Sequence, residues 1–133
     1  MVQAPPLVVY VHFIAALAAM AIGAVQLVRP KGTAGHRVIG WTWAALMMVV
    51  ALSSLWIPAF LAFTWIHLFT LFVMVTLPLA LYRAHRGEIA GHAKGMRGIY
   101  IGGLIVAGVF AFMPGRVLGN LLWKGVWGYL PRA

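Results

Sequence analysis

One uncharged stretch near the start of the chain decides the fold. Residues 7–28 read LVVYVHFIAALAAMAIGAVQLV and contain only two strongly polar side chains, His12 and Gln26. A helix needs roughly 20 predominantly apolar residues to cross the hydrocarbon core of a bilayer. The stretch therefore predicts a membrane-spanning helix. Because it is longer than the apolar part of a signal peptide and residues 1–6 carry no Lys or Arg, we expect it to be retained.

The composition of the whole chain agrees with a membrane protein. Hydrophobic residues occupy 64% of the 133 positions and charged residues only 8%, against roughly 45–50% and about 25% in ordinary globular domains. Ten Lys and Arg residues accompany a single acid, Glu88, for a net charge of +9. These cations lie between and after the apolar runs, which indicates a membrane protein rather than a nucleic-acid-binding one. The absence of cysteine excludes thiolate metal sites and covalently attached haem.

Three more apolar runs complete the predicted architecture. We expect four membrane helices, at about 7–28, 38–57, 60–82 and 92–113. A shorter amphipathic tail at 117–129 is predicted to lie on the membrane surface. The sequence therefore predicts one domain, residues 1–133. It is an all-α integral membrane protein, a four-transmembrane-helix bundle with a short C-terminal interfacial helix.

The loop charges predict the orientation of the bundle. The first-to-second and third-to-fourth connections lie on one side and carry Arg29, Lys31, Arg37, Arg83, Arg86, Lys94 and Arg97. The other side carries Arg116, Lys124 and Arg132. Connections rich in Lys and Arg stay in the cytoplasm. We therefore expect a protein of the bacterial inner membrane with both termini in the periplasm.

Four histidines fall at two depths of the predicted bundle. His12 and His67 lie near the outer surface in helices one and three, and His36 and His92 open helices two and four from the inside. In a bundle with short loops, helices one and three are diagonal, as are helices two and four. Two imidazoles that face each other can ligate one haem iron from both sides. The pattern predicts two bis-histidine sites for haem b.

This interpretation makes the protein a small b-type haem electron-transfer protein, either a carrier or a membrane haem oxidoreductase. Arg37 and Arg97 are the candidate partners of the inner haem propionates, and a quinol or small reductant is the candidate electron partner. His85 falls outside the two levels and is interpreted as a solvated residue. Each of the other histidines also has a plain structural interpretation, as a solvated side chain or one that hydrogen-bonds a carbonyl.

A glycine-rich face of the fourth helix supports a competing hypothesis. Gly98, Gly102 and Gly103 allow a backbone or a flat macrocycle to approach closely. If a partner helix occupies this face, the protein is a cofactor-free accessory or assembly subunit of a membrane complex. A small transporter is less favoured, because four helices with one acid offer little for ion coupling.

Three sequence elements resemble a known family. They are His36-Arg37-x-x-Gly40, His92-x-x-x-Met96 and GGLxVAGxFxxxPGR at 102–116. The elements are similar to those of the uncharacterised bacterial membrane-protein family known as domain of unknown function 2306. This resemblance extends from His12 to Arg116 and implies a membrane location while leaving the activity open. Family members usually carry an aromatic residue where this chain has Gly95. The histidine pairing is also similar to the di-haem core of the ascorbate-reducible cytochrome b family.

Overall fold

The computed structural model describes residues 7–57, 65–113 and 117–128, and within these ranges it contains helices and no strands. The elements are α1 Leu7–Val28, α2 Ala34–Trp56, α3 Trp65–His85, α4 Ile89–Gly98, a π-helical segment Ile99–Val106, α5 Ala107–Ala111 and α6 Val117–Gly128. The π-helical segment joins α4 to α5, so that the three form one continuous fourth span. Residues 60–64 of the predicted third helix, the PGR turn at 114–116 and residue 129 of the predicted tail lie outside the described residues.

Four stretches of helix are long and apolar enough to cross a membrane. They are Leu7–Val28, Ala34–Trp56, His67–His85 and Ile89–Ala111. The first coincides with the stretch from which the fold was predicted. The prediction of an all-α membrane protein with four transmembrane helices is confirmed.

Helices α2 and α4 begin earlier than their apolar patterns indicated, at 34 rather than 38 and at 89 rather than 92. Thr33 caps α2, because its side-chain oxygen accepts a hydrogen bond from the backbone N–H of His36 at 3.0 Å. Helix α4 begins directly after Glu88. The helices were predicted from their apolar runs, which begin only after these polar first turns. His36 and His92 are therefore held by regular helical backbone.

The helices follow one another around the bundle. Helix α1 packs on α2, α2 on α3 and α3 on α4, while the π-helical segment closes the ring against α1. The side chains buried most completely at the centre are Met47, Leu77 and Ile99. This order places α2 and the fourth span on a diagonal, which is the arrangement that the inner histidine pair requires.

Helix α1 is fixed to its neighbours at Gly23. The indole N–H of Trp43 donates to the carbonyl of Ala19 at 2.9 Å, and the hydroxyl of Tyr100 donates to the carbonyl of Met20 at 3.1 Å. A Cβ at Gly23 would lie 2.6 Å from both the Trp43 indole nitrogen and the Tyr100 ring. Only glycine allows α1 to approach this closely while both hydrogen bonds form.

Candidate functional site

Two of the predicted histidines meet at the end of the bundle that carries the α1–α2 and α3–α4 connections, called the inner end below. The ring centroids of His36 and His92 are 6.5 Å apart, and the ring planes are almost perpendicular at 89°. Both side chains are half-buried. The structure thus brings together the two imidazoles that the sequence placed at the inner level.

His92 is held against α3 by its own ring. Its Nδ1 lies 2.9 Å from the carbonyl oxygen of Ala80. A carbonyl oxygen only accepts, so Nδ1 carries the hydrogen and Nε2 keeps its lone pair. Gly95 makes this approach possible, because a Cβ there would lie 2.9 Å from the Cβ of Ala80. Glycine at position 95 therefore brings α4 close to α3.

His36 is held by a polar residue of α1. The side-chain nitrogen of Gln26 lies 2.7 Å from both His36 Nδ1 and the His36 carbonyl oxygen. The other amide atom, Gln26 Oε1, is buried and has no hydrogen-bond partner among the described residues. Gln26 is thus a positioning residue for His36 that carries one unused acceptor.

The remaining charged groups make the inner end strongly positive. Lys31 donates to three carbonyls at 2.6–2.9 Å, those of Gln26, Leu27 and Arg29, and so caps the end of α1. The candidate propionate partners Arg37 and Arg97 are exposed, the first directly after His36 and the second in the last turn of α4. His85 is exposed at the end of α3.

His12, predicted for the outer level, is hydrogen-bonded to α2. Its Nδ1 lies 3.0 Å from the carbonyl oxygen of Val50 and 2.9 Å from the hydroxyl oxygen of Ser53. The Ser53 hydroxyl itself donates to the Val50 carbonyl at 3.1 Å. Nδ1 therefore carries the hydrogen, and Nε2 is the ring atom left with a lone pair.

A cavity of about 150 Å³ lies between the four spans on the outer side of the bundle centre. His12 lines it together with Ser54 and Thr70, whose hydroxyl oxygens are 2.5 Å apart. The fourth span contributes small residues, Gly103, Ala107, Gly108 and Ala111, and α6 contributes Leu118. The described residues that line the cavity do not include His67, which is half-buried in the first turn of α3.

The glycine-rich face of the fourth span packs within the chain. A Cβ at Gly98 or Gly102 would lie 3.8 or 3.4 Å from the ring of Phe72, and one at Gly103 would lie 2.8 Å from Val73. Helix α3 therefore covers the face for which the sequence suggested a partner helix. A separate partner would have to displace Phe72 and Val73 to reach it.

The comparison with known families agrees with the sequence motifs. The family model described as "Predicted membrane protein (DUF2306)" matches residues 9–123, a range that contains all four of the paired histidines. The chain belongs to this family. The predicted resemblance is confirmed, and with four candidate spans this DUF2306 chain is a multi-pass membrane protein. No curated protein and no solved structure matches it.

Sequence reasoning did not assign a role to Gln26 or to the Ser54–Thr70 pair. The available signal was polarity within an apolar run, because polar side chains at membrane depth are costly and tend to be paired or functional. Gln26 is one of only two strongly polar residues of the first span. The hydrogen-bond partners of Gln26, Ser54 and Thr70 depend on how the helices pack, so the sequence alone did not identify those partners.

Proposed function

We propose that this DUF2306 protein is a small electron-transfer protein that holds a b-type haem between His36 and His92. The observation that carries the proposal is the separation of 6.5 Å between the two ring centroids. The two rings are close enough for one metal ion to bind a nitrogen of each. His36 and His92 are therefore the residues that would hold the haem iron.

The hydrogen bond of the His92 ring fits this role. Metal-ligating imidazoles donate their second N–H to a fixed acceptor, which sets the tautomer and the ring orientation. His92 does so through the carbonyl of Ala80 at 2.9 Å. His36 differs, because the side-chain nitrogen of Gln26 donates to both its Nδ1 and its carbonyl oxygen. Ligation through His36 Nε2 would therefore require the ring hydrogen to leave Nε2 and the Gln26 side chain to reposition.

The charge of the inner end supports the same proposal. A bound haem supplies one-electron redox chemistry and carries two anionic propionates. Arg37 and Arg97 are the side chains that we assign to these propionates, because guanidinium groups pair with carboxylates in a bidentate geometry. We assign a quinol or another small reductant as the electron partner.

The outer pair, His12 and His67, stays a prediction for a second haem. His12 lines the cavity, but the described lining residues do not include His67. We therefore restrict the proposal to the inner site. The number of haems in each chain separates the two cases.

The first test is the absorption spectrum of the full-length protein, purified in detergent from haem-replete cells. We expect a Soret band and a reducible α band, a low-spin bis-histidine electron paramagnetic resonance signal and one extractable haem b per chain. A colourless protein would contradict the proposal and favour the cofactor-free subunit. Zinc or copper bound in place of haem would also contradict it.

We also propose that both termini face the periplasm of a bacterium, because seven of the ten cations lie in the two inner connections or in the helix turns beside them. Reporter fusions after Pro58 and after Gly87 test this orientation. We expect alkaline phosphatase activity only from the Pro58 fusion and green fluorescence only from the Gly87 fusion. The reverse pattern would show that the bundle is inserted the other way round.

A further inference from the structure

We propose that the cavity beside His12 binds the ring of a lipid-soluble hydroquinone, whose hydroxyl group donates a hydrogen bond to His12 Nε2. The site is separate from the inner histidine pair. Gln26, the partner of His36, follows His12 by 14 positions on α1, which corresponds to ~21 Å along a helix. Binding at the cavity therefore does not depend on whether the inner site holds a haem.

The size of the cavity selects a single ring. Its volume is about 150 Å³, and an apolar cavity of about this volume in another protein accepts one benzene molecule. The walls include the aromatic rings of Phe13, Phe69 and Phe112. On the fourth span, Gly108 lines the cavity, and a Cβ there would meet none of the described residues within 4 Å. The space is thus suited to one flat six-membered ring.

The polar groups of the cavity call for a ligand that donates hydrogen bonds. His12 uses its Nδ1 hydrogen on α2, so Nε2 can only accept. The hydroxyls of Ser54 and Thr70 are already engaged, because Ser54 donates to the carbonyl of Ala51 at 2.6 Å and the two hydroxyl oxygens contact each other. His12 Nε2 is thus the acceptor that a hydroxyl group of the ligand would meet. A quinone, which has only carbonyl oxygens, has no hydrogen to donate to it.

The position of the cavity indicates the source of the ligand. All four spans contribute to its wall, so the cavity lies within the apolar part of the bundle, and we infer a ligand that dissolves in the bilayer. Small-molecule sites in proteins are mostly apolar pockets with a few convergent polar groups, and this cavity has that character. A lipid-soluble hydroquinone combines an apolar body with the required donors.

Calorimetry on the full-length protein in detergent tests the proposal with three probes of similar shape: methylhydroquinone, methylbenzoquinone and 1,2,4-trimethylbenzene. We expect methylhydroquinone to bind roughly tenfold more tightly than the other two, which is the effect of about one net hydrogen bond. His12→Phe should remove this preference while retaining an aromatic wall. Gly108→Leu should fill the cavity and abolish binding of all three probes, with thermal stability retained as evidence of folding. His85→Ala, a change outside the cavity, should alter nothing.

Several results would overturn the proposal. Equal affinity for the three probes would exclude recognition through a donor, and an unchanged preference in His12→Phe would exclude His12. Unchanged binding in Gly108→Leu would place the ligand elsewhere. Loss of haem absorbance in His12→Phe would make His12 an iron ligand. A decyl-substituted methylhydroquinone tests the source: tighter binding than the parent ring supports a lipid-soluble carrier, whereas weaker binding would indicate a dissolved phenol and overturn that part.

Discussion

Replacement of His36 or His92 with alanine is expected to remove nearly all haem absorbance from the purified protein. The two rings come from diagonal helices and are the only imidazoles that the described residues place as a ring pair at the inner end. The proposed site would need both imidazoles to hold the haem, so each single variant should lose it. The measurement is the ratio of Soret absorbance to protein concentration, compared with the unmodified chain.

The matched control for this prediction is His85→Ala. His85 is exposed at the end of α3 and should leave the spectrum unchanged. Circular dichroism should show the same helix content in all variants, so that a loss of colour reports ligand removal and not unfolding. If His36→Ala and His92→Ala both keep the full absorbance, the inner site is wrong. If His12→Ala removes about half of it, the outer pair also holds a haem.

Replacement of Gly23 with alanine is expected to destabilise the bundle strongly. The added Cβ would lie 2.6 Å from the Trp43 indole nitrogen and from the Tyr100 ring. Neither ring can move away without breaking its hydrogen bond to α1. Overpacking of this kind costs about 1–3 kcal/mol. Thermal unfolding in detergent should show a clear decrease in the midpoint temperature.

Gly108→Ala provides the matched comparison for Gly23→Ala. It adds the same methyl group to a membrane helix, but at a position where the structure describes no neighbouring atom within 4 Å of the new carbon. The gain in helix propensity, about 1 kcal/mol, should leave this variant as stable as the unmodified protein or more so. Similar losses in both variants would show that the contacts of Gly23 are not what holds α1 in place.

The class of the protein was determined by the sequence alone. Runs such as residues 7–28 contain too few polar groups for a water-soluble fold and enough length to cross a bilayer. In a bilayer each spanning segment must satisfy its backbone hydrogen bonds internally, which leaves the helix as the form that such runs take. This constraint acts within each segment and needs no knowledge of its neighbours. The helix at Leu7–Val28 follows directly from it.

The level of the inner histidines was also predictable, because depth follows from counting residues along helices of known rise. The N-terminal boundaries of α2 and α4 were not predictable in this way, because their first turns are polar and the prediction used only the apolar residues. Thr33 extends α2 through a side-chain cap. The depth of a histidine does not tell which way its side chain points. The contacts of His36 with Gln26 and of His92 with Ala80 were therefore seen only in the three-dimensional structure.

Tertiary structure alone decided which groups the other candidates contact. At the depth of His12 several acceptors on neighbouring helices compete for its ring, and packing selected Val50 and Ser53. The glycines of the fourth span predicted a close approach, but only the packing shows that α3 makes it. The cavity is the volume that remains when four differently shaped helix surfaces meet. The sequence pattern specifies how polar each helix surface is. The hydrogen-bond partners and the cavity depend on how the helix surfaces pack together.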